Sequence, residues 1–209
     1  MQPSGLAGEV VLPPTEEGDP VEQFARTPYL VGFQSNDKRF VLLTAHIKYG
    51  DVPEERLPEL RLLAEYVAEE IRDRARVDED AEETNLIVLG DFNIDRRGDN
   101  PLFQAFVSTG LFVPPSLEGL KTTYGTEPKF YDHIAWFMGD LSLGFEGRAG
   151  VIDFAGAVYQ EMTLGRMSYR VSDHFPLWVE FIVDHSAERM AATLGVDPAM
   201  PDPLNTVPN

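Results

Sequence analysis

The sequence contains no cysteine. This absence excludes a disulfide framework, a thiolate metal site and a cysteine nucleophile, so any metal ion must be bound by oxygen or imidazole ligands. No apolar run approaches the roughly 20 residues of a membrane-spanning helix, and residues 1–20 lack the basic-then-apolar order of a signal peptide. A cytoplasmic location is favoured, although a targeting signal upstream of Met1 stays open.

Basic residues are also scarce: 17 Lys and Arg stand against 35 Asp and Glu, for a formal net charge of −18. This charge disfavours nonspecific binding to polyanions such as DNA or anionic lipid. It does not exclude a phosphate substrate, because one local arginine and a divalent cation can hold a phosphate group. The 43% hydrophobic content, with 13 Phe and 7 Tyr, is enough for a substantial core.

The apolar pattern predicts a mixed α/β protein. Apolar residues recur at helical spacing between Leu57 and Ile71, and continuous apolar runs such as 40–43 are typical of buried strands. Trp136 and Trp178 are expected in the core. Strands are predicted over 29–34, 39–47, 85–89, 131–137 and 176–181, helices over 57–76 and 101–108, and one helical turn near 187–194. The predicted organisation is a loop or leftover edge strand over 1–22, a catalytic region over 23–184 and a polar, Pro-rich tail over 185–209.

Polar side chains follow the apolar strands at the points where the strands end. Because the fold stacks strands side by side, groups at their ends can converge on one cleft although they are distant in sequence. Carboxylates suit a hard cation, imidazoles suit proton transfer, and an amide can orient a ligand. The set consists of His46, Asp91, Asn93, Asp132, Asp173 and His174.

Three motifs resemble those of the endonuclease/exonuclease/phosphatase superfamily, and the resemblance covers residues 24–183. They are Gly90-Asp91-Phe92-Asn93, Tyr131-Asp132-His133-Ile134 and Ser172-Asp173-His174-Phe175-Pro176, in the family's order. The resemblance implies a partial four-layer α/β/β/α sandwich, the second half of a deoxyribonuclease-like fold. It also implies a metal-dependent hydrolase that cleaves phosphate esters by attack of water on phosphorus, in the manner of a phosphodiesterase, nuclease or phosphatase.

The resemblance assigns a role to each site residue. Asp91 resembles the carboxylate that handles the attacking water, and Asn93 the amide that orients water or a phosphate oxygen. His174 resembles the imidazole beside the scissile phosphate, and the carboxylate of Asp132 would fix its tautomer. His133, which adjoins Asp132 on a strand, is expected to point the opposite way in a structural role.

Three further residues are expected to hold the metal ion and the phosphate. Asp173 resembles a ligand to Mg²⁺, with Mn²⁺ as an alternative cofactor. His46 matches a second histidine that contacts the phosphate. Arg26 resembles an arginine that grips a phosphate by paired hydrogen bonds; an ordinary surface cation is the alternative for this residue.

The chain departs from the family pattern at its front. The opening strand with an active-site Asn, and the Glu that is the principal metal ligand, have no counterpart before Arg26. We therefore expect an N-terminally truncated domain that exposes apolar surface, and that self-associates or depends on a missing half. A non-catalytic binding or assembly module is the alternative. The substrate can be nucleic acid, a phospholipid head group or a small metabolite, and the sequence does not choose among them.

Overall fold

The computed structural model describes residues 1–36, 38–73, 85–124, 129–184 and 186–195. The strands are β1 (Gln2–Glu9), β2 (Tyr29–Ser35), β3 (Lys38–His46), β4 (Leu86–Asp91), β5 (Leu111–Phe112), β6 (Asp132–Phe137), β7 (Ala149–Val151) and β8 (Leu177–Val179). The α-helices are α1 (Leu57–Tyr66), α2 (Pro101–Val107), α3 (Leu164–Arg170) and α4 (Ser186–Leu194). None of the helices within these ranges is long and apolar enough to cross a membrane.

Six strands form one mixed sheet in the order β1-β2-β3-β4-β6-β5, and β7 pairs with β8 in a separate two-stranded sheet. Strands β3 and β4 are parallel, and the other pairs are antiparallel. A parallel pair needs a crossover connection, and α1 lies in that connection. The carboxyl ends of β3 and β4 therefore reach the same edge of the sheet.

Side chains alternate between the two faces of the large sheet, as a strand period of two requires. Val41, Leu43 and Val88 belong to the main core, into which the helices also pack. Phe40 and Ile87 belong to a second apolar cluster on the opposite face, which includes Phe181 just beyond β8. The protein is thus layered as helices, large sheet and small sheet, and the predicted mixed α/β class is confirmed.

Helix α1 follows a 3₁₀ turn over Pro53–Arg56 and continues into a π-helical segment over Val67–Arg72. Pro58 lies in its first turn, where a missing N–H costs no hydrogen bond. Its apolar stripe of Leu60, Leu63 and Val67 is completely buried. The amphipathic helix predicted over 57–76 is therefore present, and its last residues, 74–76, lie outside the described residues.

Several elements of the structure differ from the predicted ones. Residues 2–9 form the edge strand β1, which resolves the choice between loop and strand at the start of the chain. Strands β5 and β7 and helix α3 were not predicted. Trp136 is buried, but Trp178 is 36% exposed, so its predicted place in the core is wrong. It lies on a small sheet of two strands, which lacks the area to bury both faces.

The face of the large sheet opposite the helices is only partly covered by the small sheet. An open groove remains there, lined by a largely apolar set: Met1, Ser35, Phe40, Leu42, Ile87, Leu89, Ile134, Leu143, Val179, Phe181 and Val183. The self-association expected from such a surface stays a prediction.

Candidate active site

Three of the predicted site residues lie side by side at one edge of the large sheet. His46 at the end of β3 is the register partner of Asp91 at the end of β4. Asp91 is in turn the register partner of Asp132 at the start of β6. Adjacent strands are about 4.8 Å apart, so the register alone makes these three residues neighbours.

All three side chains point away from the helices. Ala45 and Ala135 face the main core, and strand alternation directs His46 and Asp132 to the opposite face. Gly90 makes the close strand approach possible here, because it adopts φ +142° and a Cβ atom at this position would overlap the carbonyl oxygen of Ala45. The polar cluster thus opens on the face that carries the small sheet.

The carboxylate of Asp91 lies between two imidazoles. Its Oδ2 atom is 3.4 Å from His46 Nε2 and 3.8 Å from His174 Nε2. Its Oδ1 atom accepts a hydrogen bond from the backbone N–H of Asn93 at 2.9 Å. Burial raises the pKa of Asp91 above its ordinary value; the Asn93 hydrogen bond opposes this shift, the Asp132 charge adds to it, and the two histidines oppose it. The carboxylate is therefore a stronger base than a solvated one.

The loop before β8 brings His174 into the cluster. This loop runs beside residues 122–124, where Thr123 and His174 form an antiparallel bridge and the N–H of Phe175 donates to Thr122 O at 2.8 Å. His174 Nδ1 lies 2.7 Å from Asp132 Oδ2, and this contact leaves Nε2 facing Asp91. The hydrogen bond with Asp132 raises the pKa of His174, and burial only partly opposes that rise. His174 is thus biased toward its protonated form.

Asn93 is buried at the turn after β4 with φ +53°. Its side-chain amide donates to the Ile47 carbonyl at 2.7 Å, so it ties the turn after β4 to the end of β3. Its backbone carbonyl accepts from Arg56 Nη1 at 2.6 Å. These contacts give Asn93 a structural task within the site, and the ligand-orienting role inferred from the resemblance stays a prediction.

Arg26 and Asp173 lie at the surface, and both are exposed. Within the described ranges, Arg26 makes no hydrogen bond or ion pair. Its loop is nevertheless tied to the strand end that carries His46, because the buried carboxylate of Glu59 accepts from the N–H groups of Ala25 and Lys48, each at 2.8 Å. Asp173 directly precedes His174 in the chain, and its charge contributes to the raised pKa of His174.

Arg56 is a site residue that sequence reasoning missed. It is only 2% exposed, its guanidinium stacks on Tyr49 at 4.4 Å, and Nη1 is 3.1 Å from Asp95 Oδ2. Its Nε atom also donates to the backbone carbonyl of Tyr49. An arginine in a Glu-rich helix start carries no sequence signal of burial, because Arg is normally a surface residue.

Two tyrosines border the cluster. The rings of Tyr49 and Tyr131 meet edge to face with centroids 6.2 Å apart, and the Tyr131 ring is 6.2 Å from that of His174. Burial raises the pKa of Tyr131 well above its usual range, and a hydrogen bond with Tyr49 and the charge of Asp95 act in the same direction. The Tyr131 phenol is therefore neutral at physiological pH.

His133 lies on the other face of β6, as alternation predicts. It is fully buried against Phe92, Phe103 and Phe106, and Nδ1 lies 3.2 Å from Arg97 Nη2. Burial lowers the pKa of His133 far below its ordinary value, and the charge of Arg97 adds to the effect. A neutral imidazole in this position is part of the core beneath the site.

The described residues do not complete a magnesium site. No group of three or more His, Asp or Glu side chains in that part of the chain is placed to hold a metal ion. Mg²⁺ takes about six ligands, chiefly oxygen, and Asp91 and Asp132 are already engaged with imidazoles. Asp173 alone is too small a donor set, so the predicted metal dependence does not rest on a preformed cage in these residues.

The fold defined by this sheet, its parallel β3–β4 pair and its helix layer is deoxyribonuclease-like. The resemblance to the endonuclease/exonuclease/phosphatase superfamily indicated by the three motifs is confirmed at the level of the fold. Human Nocturnin's catalytic domain, solved with bound sulfate, matches with a TM-score of 0.53 and 16% identity, covering 84% of this chain and 58% of that one. A conserved protein of unknown function from Enterococcus faecalis V583 matches with a TM-score of 0.50 and 17% identity, covering 76% and 57%.

At the sequence level, the chain is 27% identical over 212 residues to a protein called deoxyribonuclease from Thioalkalivibrio sp. (strain K90mix). The match covers 91% of this chain and 55% of the relative, so the chain spans about half the length of the curated relative it matches. No protein-family model matches the chain.

Proposed function

We propose that this chain carries the acid–base part of the active site of a phosphoric ester hydrolase, in which water attacks phosphorus. The observation that carries the proposal is the Asp91 carboxylate between His46 and His174, with His174 held by Asp132. The name of the Thioalkalivibrio relative, a deoxyribonuclease, supports the same reaction class.

The contacts within the cluster support a division of roles. Asp91, whose pKa is raised, takes the proton of the attacking water as the oxygen–phosphorus bond forms and the ester P–O bond breaks. His174, whose pKa is also raised, presents its Nε2–H to an oxygen of the phosphoryl group, where negative charge develops. Asp132 fixes the tautomer of His174 and stabilises its charged form.

The two groups act on the same side of the phosphorus. In-line displacement places the attacking water and the leaving oxygen opposite each other. Asp91 Oδ2 and His174 Nε2 are only 3.8 Å apart, which is too close to flank both oxygens. We therefore assign His174 and the neighbouring His46 to hydrogen bonds with the phosphoryl oxygens. Arg26 is assigned to phosphate binding from its own loop.

Mg²⁺, with Mn²⁺ as the alternative, is the proposed cofactor, and Asp173 is its proposed ligand in this chain. A bound ion would neutralise charge on the phosphate. The described residues supply only part of its coordination.

The incomplete metal donor set favours a second candidate. A binding or assembly module that keeps the scaffold without turnover needs no complete metal site. The intact contact of His174 with both carboxylates opposes this alternative, because a pure binding surface has no need of a half-buried acid–base pair.

The test is hydrolysis of bis(p-nitrophenyl) phosphate by the purified 209-residue chain, with Mg²⁺, with Mn²⁺ and with EDTA. We expect turnover that EDTA removes, and a loss of about 100-fold or more in kcat for His174→Ala and Asp91→Asn. Asp99→Asn is the matched control, since the same chemical change at an exposed carboxylate leaves the rate unaltered. Absence of turnover in a chain shown to be folded would favour the binding module.

A further inference from the structure

We infer that Glu59 is a positioning residue that holds the loop of Arg26 against the strand end that carries His46. The inference rests on the proposed phosphoester chemistry, in which both residues are assigned to the phosphate, and it names the group that sets their relative position. It starts from a carboxylate that is buried in the first turn of helix α1.

The carboxylate of Glu59 binds two backbone groups. Glu59 is 7% exposed, and within the described residues it forms no ion pair. Oε1 accepts a hydrogen bond from the N–H of Ala25, and Oε2 accepts one from the N–H of Lys48, each at 2.8 Å. A buried charge is costly unless its hydrogen bonds are satisfied, so these two N–H groups account for a carboxylate at this position.

The helix dipole does not explain the burial of Glu59. A negative charge near the N-terminus of a helix is favourable, but an exposed side chain is enough for this effect. Glu54 and Glu55 lie in the 3₁₀ turn just before α1 and are exposed. The burial of Glu59 therefore reflects its two backbone partners, which are 34 and 11 residues away in the sequence.

On one side, Glu59 fixes the backbone next to Arg26. Phe24 anchors the same loop in the main core, and the carbonyl oxygen of Pro28 accepts a hydrogen bond at 2.9 Å from the segment that follows β1. Arg26 itself is exposed. Its guanidinium therefore extends from a backbone that is held on both sides, which lowers the cost of ordering the loop around a ligand.

On the other side, Glu59 fixes the chain just beyond His46. Lys48, which donates to Glu59, follows His46 by two residues. Ile47 lies between them, and its N–H donates to the carbonyl oxygen of Asp91 at 2.9 Å. The strand end is therefore held between Asp91 and Glu59, and the Glu59 carboxylate continues this connection to the arginine loop.

Loss of the connection should weaken phosphate binding by Arg26. An arginine binds a phosphate through paired hydrogen bonds that require a defined geometry. A loop released from Glu59 must be ordered again each time a phosphate binds, and this ordering reduces the affinity. The effect of Glu59 on phosphate binding thus passes through Arg26 and should disappear when the Arg26 side chain is removed.

The experiment is a double-mutant cycle that measures phosphate binding. Inorganic phosphate is titrated by NMR into the isotope-labelled wild-type chain, Glu59→Gln, Arg26→Ala and the double variant. Glutamine keeps the side-chain length but offers one acceptor oxygen to the two N–H groups. Glu59→Asp is a second variant, which keeps the charge but is too short to reach both N–H groups. Glu65→Gln is the matched control, because Glu65 is exposed on the same helix.

We expect Arg26→Ala to weaken phosphate binding about tenfold, the usual loss for one hydrogen bond between charged groups. Glu59→Gln and Glu59→Asp should weaken it about threefold to tenfold. The double variant should bind no more weakly than Arg26→Ala, and Glu65→Gln should match the wild type. Amide exchange of Ala25 and Lys48 should be faster in both Glu59 variants, and urea unfolding checks that each variant is folded.

Three outcomes would overturn the inference. The first is a wild-type chain that binds no phosphate, or that binds it equally well without Arg26. The second is a phosphate affinity of the Glu59 variants equal to that of the wild type; with faster exchange at Ala25 and Lys48, the contact would be purely structural. The third is a set of additive losses in the double variant, because Glu59 would then act independently of Arg26.

Because binding is measured without turnover, the proposed reaction is tested separately. A chain that shows the nonadditive loss of phosphate binding but hydrolyses no ester contradicts the reaction and leaves the positioning role standing. Turnover that depends on His174, with no effect of either Glu59 variant on phosphate binding, contradicts the positioning role alone.

Discussion

Replacement of Arg56 by methionine tests whether the turn that carries Asp91 and Asn93 depends on a buried cation. Arg56 makes two hydrogen bonds to backbone carbonyl oxygens, those of Tyr49 and Asn93, and an ion pair with Asp95. Methionine fills a similar volume but offers no donor. The substitution therefore removes the polar contacts while it keeps most of the packing.

The expected loss of folding stability follows from the polar groups that the substitution leaves without a hydrogen-bond donor. The Asn93 carbonyl lies in a buried hydrogen bond and loses its donor, at a cost of about 1–3 kcal/mol. The Tyr49 carbonyl is part-buried and costs less. Asp95 keeps Lys129 at 3.1 Å, which limits the loss from the carboxylate. We expect a total of about 2–4 kcal/mol, the sum of the two lost carbonyl hydrogen bonds, since the retained Lys129 keeps the Asp95 charge compensated.

The assay is urea unfolding at neutral pH, followed by circular dichroism and by tryptophan fluorescence. With a denaturant slope of about 1–3 kcal/mol per molar urea, the midpoint should fall by about 1 M or more. Arg148→Met is the matched control, because Arg148 also makes a short ion pair, 2.6 Å from Glu180, but its side chain is 66% exposed. An exposed pair of this kind contributes less than about 1 kcal/mol.

Equal midpoint shifts for Arg56→Met and Arg148→Met would refute the reasoning, since burial would then not decide the cost. A variant of Arg56 with an unchanged midpoint but lost activity would show a direct role in catalysis instead. Arg56→Lys adds a further check: one amine cannot serve both carbonyls and Asp95 in the fork geometry of a guanidinium, so it should fall between wild type and methionine.

Two further predictions concern the site. Asp132→Asn should lower the pKa of His174, measured by NMR titration, because the hydrogen bond to the carboxylate is the main cause of its raised value. Because the pKa of His174 is raised in the folded state, its charged form stabilises the protein fully below the unfolded pKa near 6.5, and this stabilisation is lost as pH rises through the folded pKa. The unfolding midpoint of Asp132→Asn should therefore fall less than that of the wild type over this pH window. An unaltered His174 titration in the variant would contradict the assignment. Gly90→Ala should destabilise by more than about 2 kcal/mol in the same urea assay, because its φ of +142° is strained for alanine and the new Cβ overlaps Ala45 O. Gly165→Ala, with open space around its Cβ, should be neutral or slightly stabilising, and a Gly90 variant equally well tolerated would show that β3 and β4 can move apart.

Sequence patterns were enough to locate the polar residues at the strand ends and to predict that they converge on one cleft. Continuous apolar runs are typical of buried strands and are local signals in the sequence. The β3, β4 and β6 strands were therefore predicted within one or two residues of their observed ends. The order of motifs then identified the deoxyribonuclease-like fold. Once β3 and β4 are parallel, the alignment of His46 with Asp91 follows from the register.

The contacts that cross between distant segments depend on the tertiary structure and could not be predicted from the sequence. The 2.7 Å approach of His174 to Asp132 depends on a loop that runs beside residues 122–124, and no spacing along the chain encodes that path. Burial of Arg56 depends on the turn after β4 folding over the start of the helix layer. The exposure of Trp178 depends on how many strands lie beside β8. Sequence pattern is local, whereas burial and partner choice depend on all the segments that pack together.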